Sequence, residues 1–490
     1  MKNLLYFVAI FAALSCAPVE YPEETPGDQN PEDSTLVEQP ADTTGTTEKP
    51  SDDKIDEGQE GEQEGEKEEE TEQPPVFDTR PGEIGEVEVP AEYADYARVP
   101  LTSKKEHVQP MTGLVLWTDS NNAEKLKENI QLEFSYMLYN EVCKEKDVFD
   151  WTPMDNLLAD VASRGHQLLV RFRYVYVGKE CAVPDYIKAW PGYEEKEGYS
   201  EGRKTYFPDW RCEELQRFHL EFHRRFAERY DNDPRLAFVQ TGFGLWAEYH
   251  IYDGPKQIGK TFPSHDFQMT FFKEMEKSFK NTTWSISIDA ASGYYAPFVA
   301  HPEYLDIRFG NFDDSFMHED HGDYNTNCWL FFGYDRYKKA PCGGEFSYYS
   351  NYDQQHCLDV EGMYGRVFED EVAKFHMTYI NANDQPRYQT PERIQEASMS
   401  MGYSYKILDY RVKDNRAAVC IANMGVAPIY RDAYVSVGGV KGNYSLANLM
   451  PGEYKWIDIQ GSGVSDQEVP QIECDHLVPG QKIEYDADIQ

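Results

Sequence analysis

The chain has 490 residues and a formal net charge of −40, and 14% of it is aromatic (35 Tyr, 26 Phe and 8 Trp). That length allows two or three domains with a sizeable core. The charge speaks against nucleic acid and anionic membrane surfaces as partners, and it chooses no activity.

The first sixteen residues, MKNLLYFVAIFAALSC, set one early Lys before an apolar stretch too short to span a bilayer permanently. The pattern reads as a signal peptide over 1–16. Small Ser15 before Cys16, with Ala13 and Leu14 upstream, resembles a bacterial lipobox. Cleavage there leaves Cys16 as a lipidated N-terminus; an ordinary signal peptide cut nearby is the alternative. The expected location is the bacterial outer membrane, lipid-anchored, facing the periplasm or the cell surface.

Residues 17–85 read as a disordered acidic tether. Between 17 and 80 there are 22 acids against 4 bases, a net −18, with many Pro, Thr, Gln and Gly. Such a stretch buries too little apolar area to fold, and its self-repulsion keeps it extended.

From about residue 110, apolar runs alternate with amphipathic ones, the rhythm of βα units. Strands are expected at 113–117, 132–139, 166–174, 236–243, 284–289, 305–312, 343–349 and 374–381. Helices are expected at 155–165, 212–230 and 265–279. In the second helix Leu215, Phe218, Phe222 and Phe226 recur along one face. Eight strands in about 270 residues fit a (β/α)8 TIM barrel, assigned to 86–388. A Rossmann-like sheet would want a Gly-rich phosphate turn after an early strand, and none is present. After about 388, short alternating runs split by Gly, Asn and Asp predict an antiparallel β-sandwich over 389–490.

Eight cysteines follow Cys16, a count that permits disulfides in an exported chain and fixes no pairing. There is no CxxC pair or HExxH motif, so no metal site is expected. The His- and Asp-rich stretch HEDHGDY (318–324) reads as a solvated loop.

Barrel active sites lie at the C-terminal ends of the strands. Those ends carry Tyr139 after strand two, Arg171 and Arg173 on one face of strand three, and Trp246, Glu248 and His250 after strand four. Asp289 follows strand five, Asn311, Asp313 and Asp314 strand six, and Glu345 lies at strand seven. Glu248 and Glu345 face each other across the mouth in this reading. Two carboxyls across a gap suit glycosidic bond cleavage, one protonated to help the leaving oxygen, the other ionised to attack. Arg171 and Arg173 are expected to keep the nucleophile Glu345 ionised, and Trp246 to raise the acid/base Glu248. Tyr139, Arg171, Arg173, His250, Asp289, Asn311 and Asp313 are expected to line a carbohydrate site with Trp246, with no cofactor required.

The run from NIQLEFSYMLYNEV through FDWTPMDNLLADVASRGHQLLVRFRY resembles the first half of clan-A-like glycosidase barrels. The marks QTGFGLWAEYH, FGNFDDSF, DHGDY and PCGGEF, in that order, resemble a family of exported bacterial proteins of unknown function. That family combines a glycosidase-like barrel with a C-terminal β-sandwich, and the resemblance spans roughly 108–460. The clan resemblance implies an acid/base at Glu248 and a nucleophile at Glu345. It departs at Ala247, where the clan has an Asn that binds the sugar 2-hydroxyl; Asn311 is one candidate to replace it. The expected function is a retaining glycoside hydrolase acting on an extracytoplasmic glycan. The alternatives are a non-catalytic glycan-binding lipoprotein on the same fold, which Ala247 favours, and a surface interaction protein with purely structural carboxylates.

Overall fold

The computed structural model describes residues 79–319 and 322–490, which belong to one compact unit. The signal peptide, Cys16 and most of the expected tether lie outside the described residues, as do Asp320 and His321 of the HEDHGDY stretch.

Eight parallel strands close into a barrel: β1 (Gly113–Trp117), β2 (Leu132–Leu138), β3 (Gln167–Arg173), β4 (Leu236–Thr241), β5 (Thr283–Ser287), β6 (Gly310–Phe316), β7 (Cys342–Phe346) and β8 (Met377–Asn381). They pair in chain order, and Tyr379 opposite Gly113 closes the ring. Seven strands fall where their apolar runs put them. The sixth does not. Pro302–Asp306 forms a 3-10 turn, and the strand begins at Gly310 and continues through the polar residues Asp313, Asp314 and Ser315.

The helices α1 (Thr152–Ser163), α2 (Glu213–Tyr230) and α3 (His265–Ser278) pack outside the wall. α2 has Glu213 and Glu214 in its first turn and Arg229 in its last, charges that complement the helix dipole. Its face of Leu215, Phe218, Phe222 and Phe226 is buried, and Phe222 and Phe226 meet Phe172 on the outer side of β3. Each such burial contributes about 1.5–3 kcal/mol.

The C-terminal part forms two sheets. The larger orders Tyr454–Gln460, Arg416–Asn423, Tyr405–Lys413, Tyr485–Ile489 and Leu101–Ser103, with Ala97–Arg98 also on Tyr405–Lys413. The smaller orders Val440–Ser445, Ala433–Val437 and Gln471–Cys474. Pairing is antiparallel except between Tyr405–Lys413 and Tyr485–Ile489. The short strands at 97–103 fall in the span assigned to the barrel, yet they complete this sheet. Tyr93 and Tyr96 pack onto it beside Trp456.

These sheets cover the floor of the barrel. Val115, Leu132, Phe134, Leu169, Phe238 and Tyr379 from the wall share one apolar cluster with Tyr405, Ile407, Val435 and Ile457. Polar contacts follow at the strand starts: Gln167 Nε2 donates to His476 O (3.0 Å), and His476 Nε2 to Leu236 O (2.9 Å). Arg431 Nη2 donates to Thr282 Oγ1 (2.6 Å), just before β5. The sandwich therefore sits at the end opposite the C-terminal mouth. All eight cysteines among the described residues are free thiols.

Candidate functional site

The loop after β4 places Glu248 by folding back on itself. Phe243 N (3.2 Å) and Gly244 N (2.7 Å) donate to Glu248 O, and Leu245 N donates to His250 O (3.0 Å). The two glycines make this possible. A Cβ on Gly242 would lie 2.1 Å from Ala247 O, and one on Gly244 would lie 1.8 Å from His250 O. Trp246 and Ala247 both take left-handed backbone, φ 58° and 59°. Non-glycine residues in that region store strain of about 1–3 kcal/mol each, a feature concentrated at functional sites.

Arg171 is the hub. It is buried, with Phe312 4.2 Å from its guanidinium carbon and Phe134 at 5.5 Å. Its Nη1 donates to Glu248 Oε1 (2.8 Å) and Trp246 O (3.2 Å), and its Nε to Gln240 Oε1 (2.8 Å). The cation expected to serve Glu345 is thus bonded to Glu248 instead. Spacing put Arg171 on the inner face, but it could not say which acid it meets.

The other Glu248 oxygen faces His250, whose Nε2 is 3.5 Å away. His250 Nδ1 lies 3.1 Å from Asp289 Oδ1, and Ser287 Oγ donates to Asp289 Oδ2 (2.9 Å). Asp314 is the third member: one donor atom each from Glu248, His250 and Asp314 lie within 4.8 Å of one another. Burial holds the Glu248 carboxyl well above the usual carboxylate range; Asp314 adds to this and Arg171 opposes it. Against burial, Asp289 raises His250 to about 8, and His250 in turn holds Asp289 low against its own burial. A neutral Glu248 fits this geometry, with Oε1 accepting from Arg171 and the other oxygen turned toward His250 and Asp314. A metal ion among Glu248, His250 and Asp314 would balance the same charges, and His250, held by Asp289, has the ligand orientation such sites use.

Glu345 lies on the inner face of β7 and is partly open to the mouth. Burial pushes it up to about 7, with Arg171 opposing and Asp314 and Asp384 adding. So Glu248 and Glu345 both feel Arg171 across the barrel. Arg173, one layer nearer the mouth than Arg171, stacks over Tyr176 (4.5 Å) and Tyr136 (5.7 Å). Trp246 meets Tyr176 edge-on at 4.4 Å.

Several polar atoms at this end are buried without a hydrogen-bond partner: Trp117 Nε1, Arg173 Nε and Nη1, Glu248 Oε2, His250 Nε2, and both Asn381 amide atoms. Trp117 and Asn381 did not stand out in the sequence, and Asp314, read at the end of strand six, was not carried into the expected site. Inward phase along β6 and β8, set by Phe312 and Tyr379, would have found the last two.

Three expected site residues lie elsewhere. Tyr139 begins a helical turn, so its ring leaves the strand phase; it is buried against α2, stacked on Tyr174 at 4.0 Å. The later start of β6 turns Asn311 and Asp313 outward. Asn311 Nδ2 reaches Ile286 O (3.4 Å), so it does not stand in for the Asn that is absent at Ala247. Asp313 accepts from Asn325 Nδ2 (2.8 Å) and Trp329 Nε1 (3.4 Å), and burial pushes it up to about 7.

No protein-family model matches the chain, and no curated protein matches it. Solved structures with a similar course include the catalytic domain of β-amylase from Paenibacillus polymyxa (9% identity, 60% of this chain and 99% of that one, TM-score 0.38). Others are endo-glycoceramidase II from Rhodococcus sp. (9%, 74% and 100%, 0.37) and a GH30 endoxylanase from Clostridium papyrosolvens (10%, 77% and 97%, 0.38). These neighbours are glycoside hydrolases. Likeness at this level says nothing of activity here, and the barrel rests on its own strand pairing.

Proposed function

We propose that the protein is a glycoside hydrolase with Glu248 as acid/base and Glu345 as nucleophile. The observation that carries this reading is the mouth itself. Two carboxyls, one from the loop after β4 and one from β7, share the field of Arg171, beside buried donors and acceptors at Trp117, Arg173 and Asn381 that lack hydrogen-bond partners. A polyhydroxylated ligand supplies both donors and acceptors, and unpaired buried polar groups are costly until it does.

In this mechanism the Glu345 carboxylate attacks the anomeric carbon while Glu248 gives its proton to the departing glycosidic oxygen. Asp314 and the His250–Asp289 pair hold the Glu248 proton in place. Water then enters, Glu248 takes a proton from it, and the glycosyl–Glu345 ester is cleaved. The chemistry uses no cofactor.

The substrate, in this proposal, is an extracytoplasmic glycan, with the chain anchored to the outer membrane through lipid on Cys16; this part rests on the leader sequence. Loss of palmitate labelling in Cys16→Ala tests it. The second reading, a glycan-binding protein without turnover, is favoured by Ala247 and by the near-complete burial of Glu248, 2% exposed.

Turnover on a broad panel of glycans and aryl glycosides tests the first reading, with Glu248→Gln and Glu345→Gln alongside. Turnover by the parent chain, lost in both folded variants, is expected. Turnover kept in both overturns the assignment, and sugar affinity without turnover favours the second reading.

A further inference from the structure

Arg173 is a cation without an anion. It is partly buried at the end of β3, and its Nε and Nη1 have neither solvent access nor a hydrogen-bond partner. Among the described residues no carboxylate forms an ion pair with it, in a chain with 87 acids against 47 Lys and Arg. Glu141 is close enough to act on its charge, but Glu141 Oε2 accepts from Leu138 N (3.3 Å). Its neighbour Arg171 differs on every count, with four hydrogen bonds and a paired acid.

The rings of Tyr136 and Tyr176 fix the guanidinium plane, and Trp246 backs Tyr176. A guanidinium pre-set in this way presents a fork that matches a carboxylate or a sulfate. Leaving its N–H groups buried and unmade costs free energy that an anionic ligand at the mouth returns. Such a ligand would sit one layer above Glu248, on the β3 side of the mouth.

Building on the glycosidase reading, we propose that Arg173 is an anion subsite and that the substrate is an acidic glycan, bearing a carboxylate or a sulfate on the ring held beside Glu248. The glycan is held by its charged substituent at Arg173, while its hydroxyls meet Asn381 and His250.

The test is retention of the full chain on an array of glycans, each present in matched neutral, carboxylated and sulfated forms. Arg173→Gln and Arg173→Lys are run beside the parent, with folding checked by circular dichroism. Expected is retention of anionic forms over their neutral matches, and a loss of about tenfold or more in Arg173→Gln, as for a lost charge-assisted bond. Arg173→Lys recovers only part, because Lys keeps the charge without the fork. The carboxylated and sulfated arms identify which anion is used. Equal retention of neutral and anionic forms, no retention of any anionic form, or anionic retention unchanged in Arg173→Gln overturns the proposal. Turnover separates the two readings. Anionic glycans held through Arg173 but never cleaved would leave the subsite standing and remove the hydrolase; cleavage with no anionic preference would do the reverse.

Discussion

Replacing Arg171 with Met keeps the volume and apolar contacts of the side chain but removes its charge and donors. Four hydrogen bonds go with it, leaving Glu248 Oε1, Gln240 Oε1 and Trp246 O without that donor in a closed interior. Glu248 is already held neutral by burial, so no carboxylate is stranded, and the cost is that of the carbonyl oxygens left without a donor, about 1–3 kcal/mol each. The net expectation for Arg171→Met is a loss of about 3–5 kcal/mol in urea unfolding at neutral pH. The double variant Arg171→Met with Glu248→Gln should recover part of that loss, since an amide at that position brings N–H donors to the acceptors Arg171 leaves. Stability of Arg171→Met within about 1 kcal/mol of the parent, or simple additivity in the double variant, would refute the view of Arg171 as the hub.

The remaining predictions concern pH, the loop and the wall. Glu345, His250 and Asp313 have folded pKa values of about 7, 8 and 7, each above its ordinary value, so each favours the folded state when protonated. That stability is fully present below about pH 4, where the carboxyls are protonated in both states, and is lost by about pH 8; unfolding free energy should fall between these limits, and the fall should be smaller in Glu345→Gln. The same proton on Glu345 predicts that kcat/KM rises through about pH 7, and a flat profile from 5.5 to 8 would remove Glu345 as nucleophile. Gly244→Ala should displace the 242–250 loop, because its Cβ meets backbone at 1.8 Å; activity should collapse, with stability down by about 1–3 kcal/mol. Tyr139→Phe should leave KM and kcat unchanged, and a raised KM would return Tyr139 to the mouth.

Seven barrel strands were legible because a wall packed on both sides needs unbroken apolar runs. β6 was not, because its inward positions are Gly310, Phe312 and Asp314, and a polar mouth interrupts the apolar signal. That error of phase put Asn311 and Asp313 in the expected site and left their neighbour Asp314 out of it. Glu248 and Glu345 were readable because one directly follows an apolar strand and the other sits within a short one after two glycines. Their partners were not, since Arg171 could reach either acid and only the folded loop brings Glu248 Oε1 to it. The strands at 97–103 could not be read at all: two or three residues each, they pair with segments more than 300 residues away.

Those late pairings have a practical consequence. Leu101 lies opposite Ile489, so both ends of the folded unit meet in the sheet beneath the barrel. The folded unit, fixed to a bead, sensor chip or grid support at either of these two strands, would present its opening to solution, with the attachment point on the far side. Immobilised protein should therefore capture long polymers as well as short ones, and coupling through introduced cysteines on the rim loops should not.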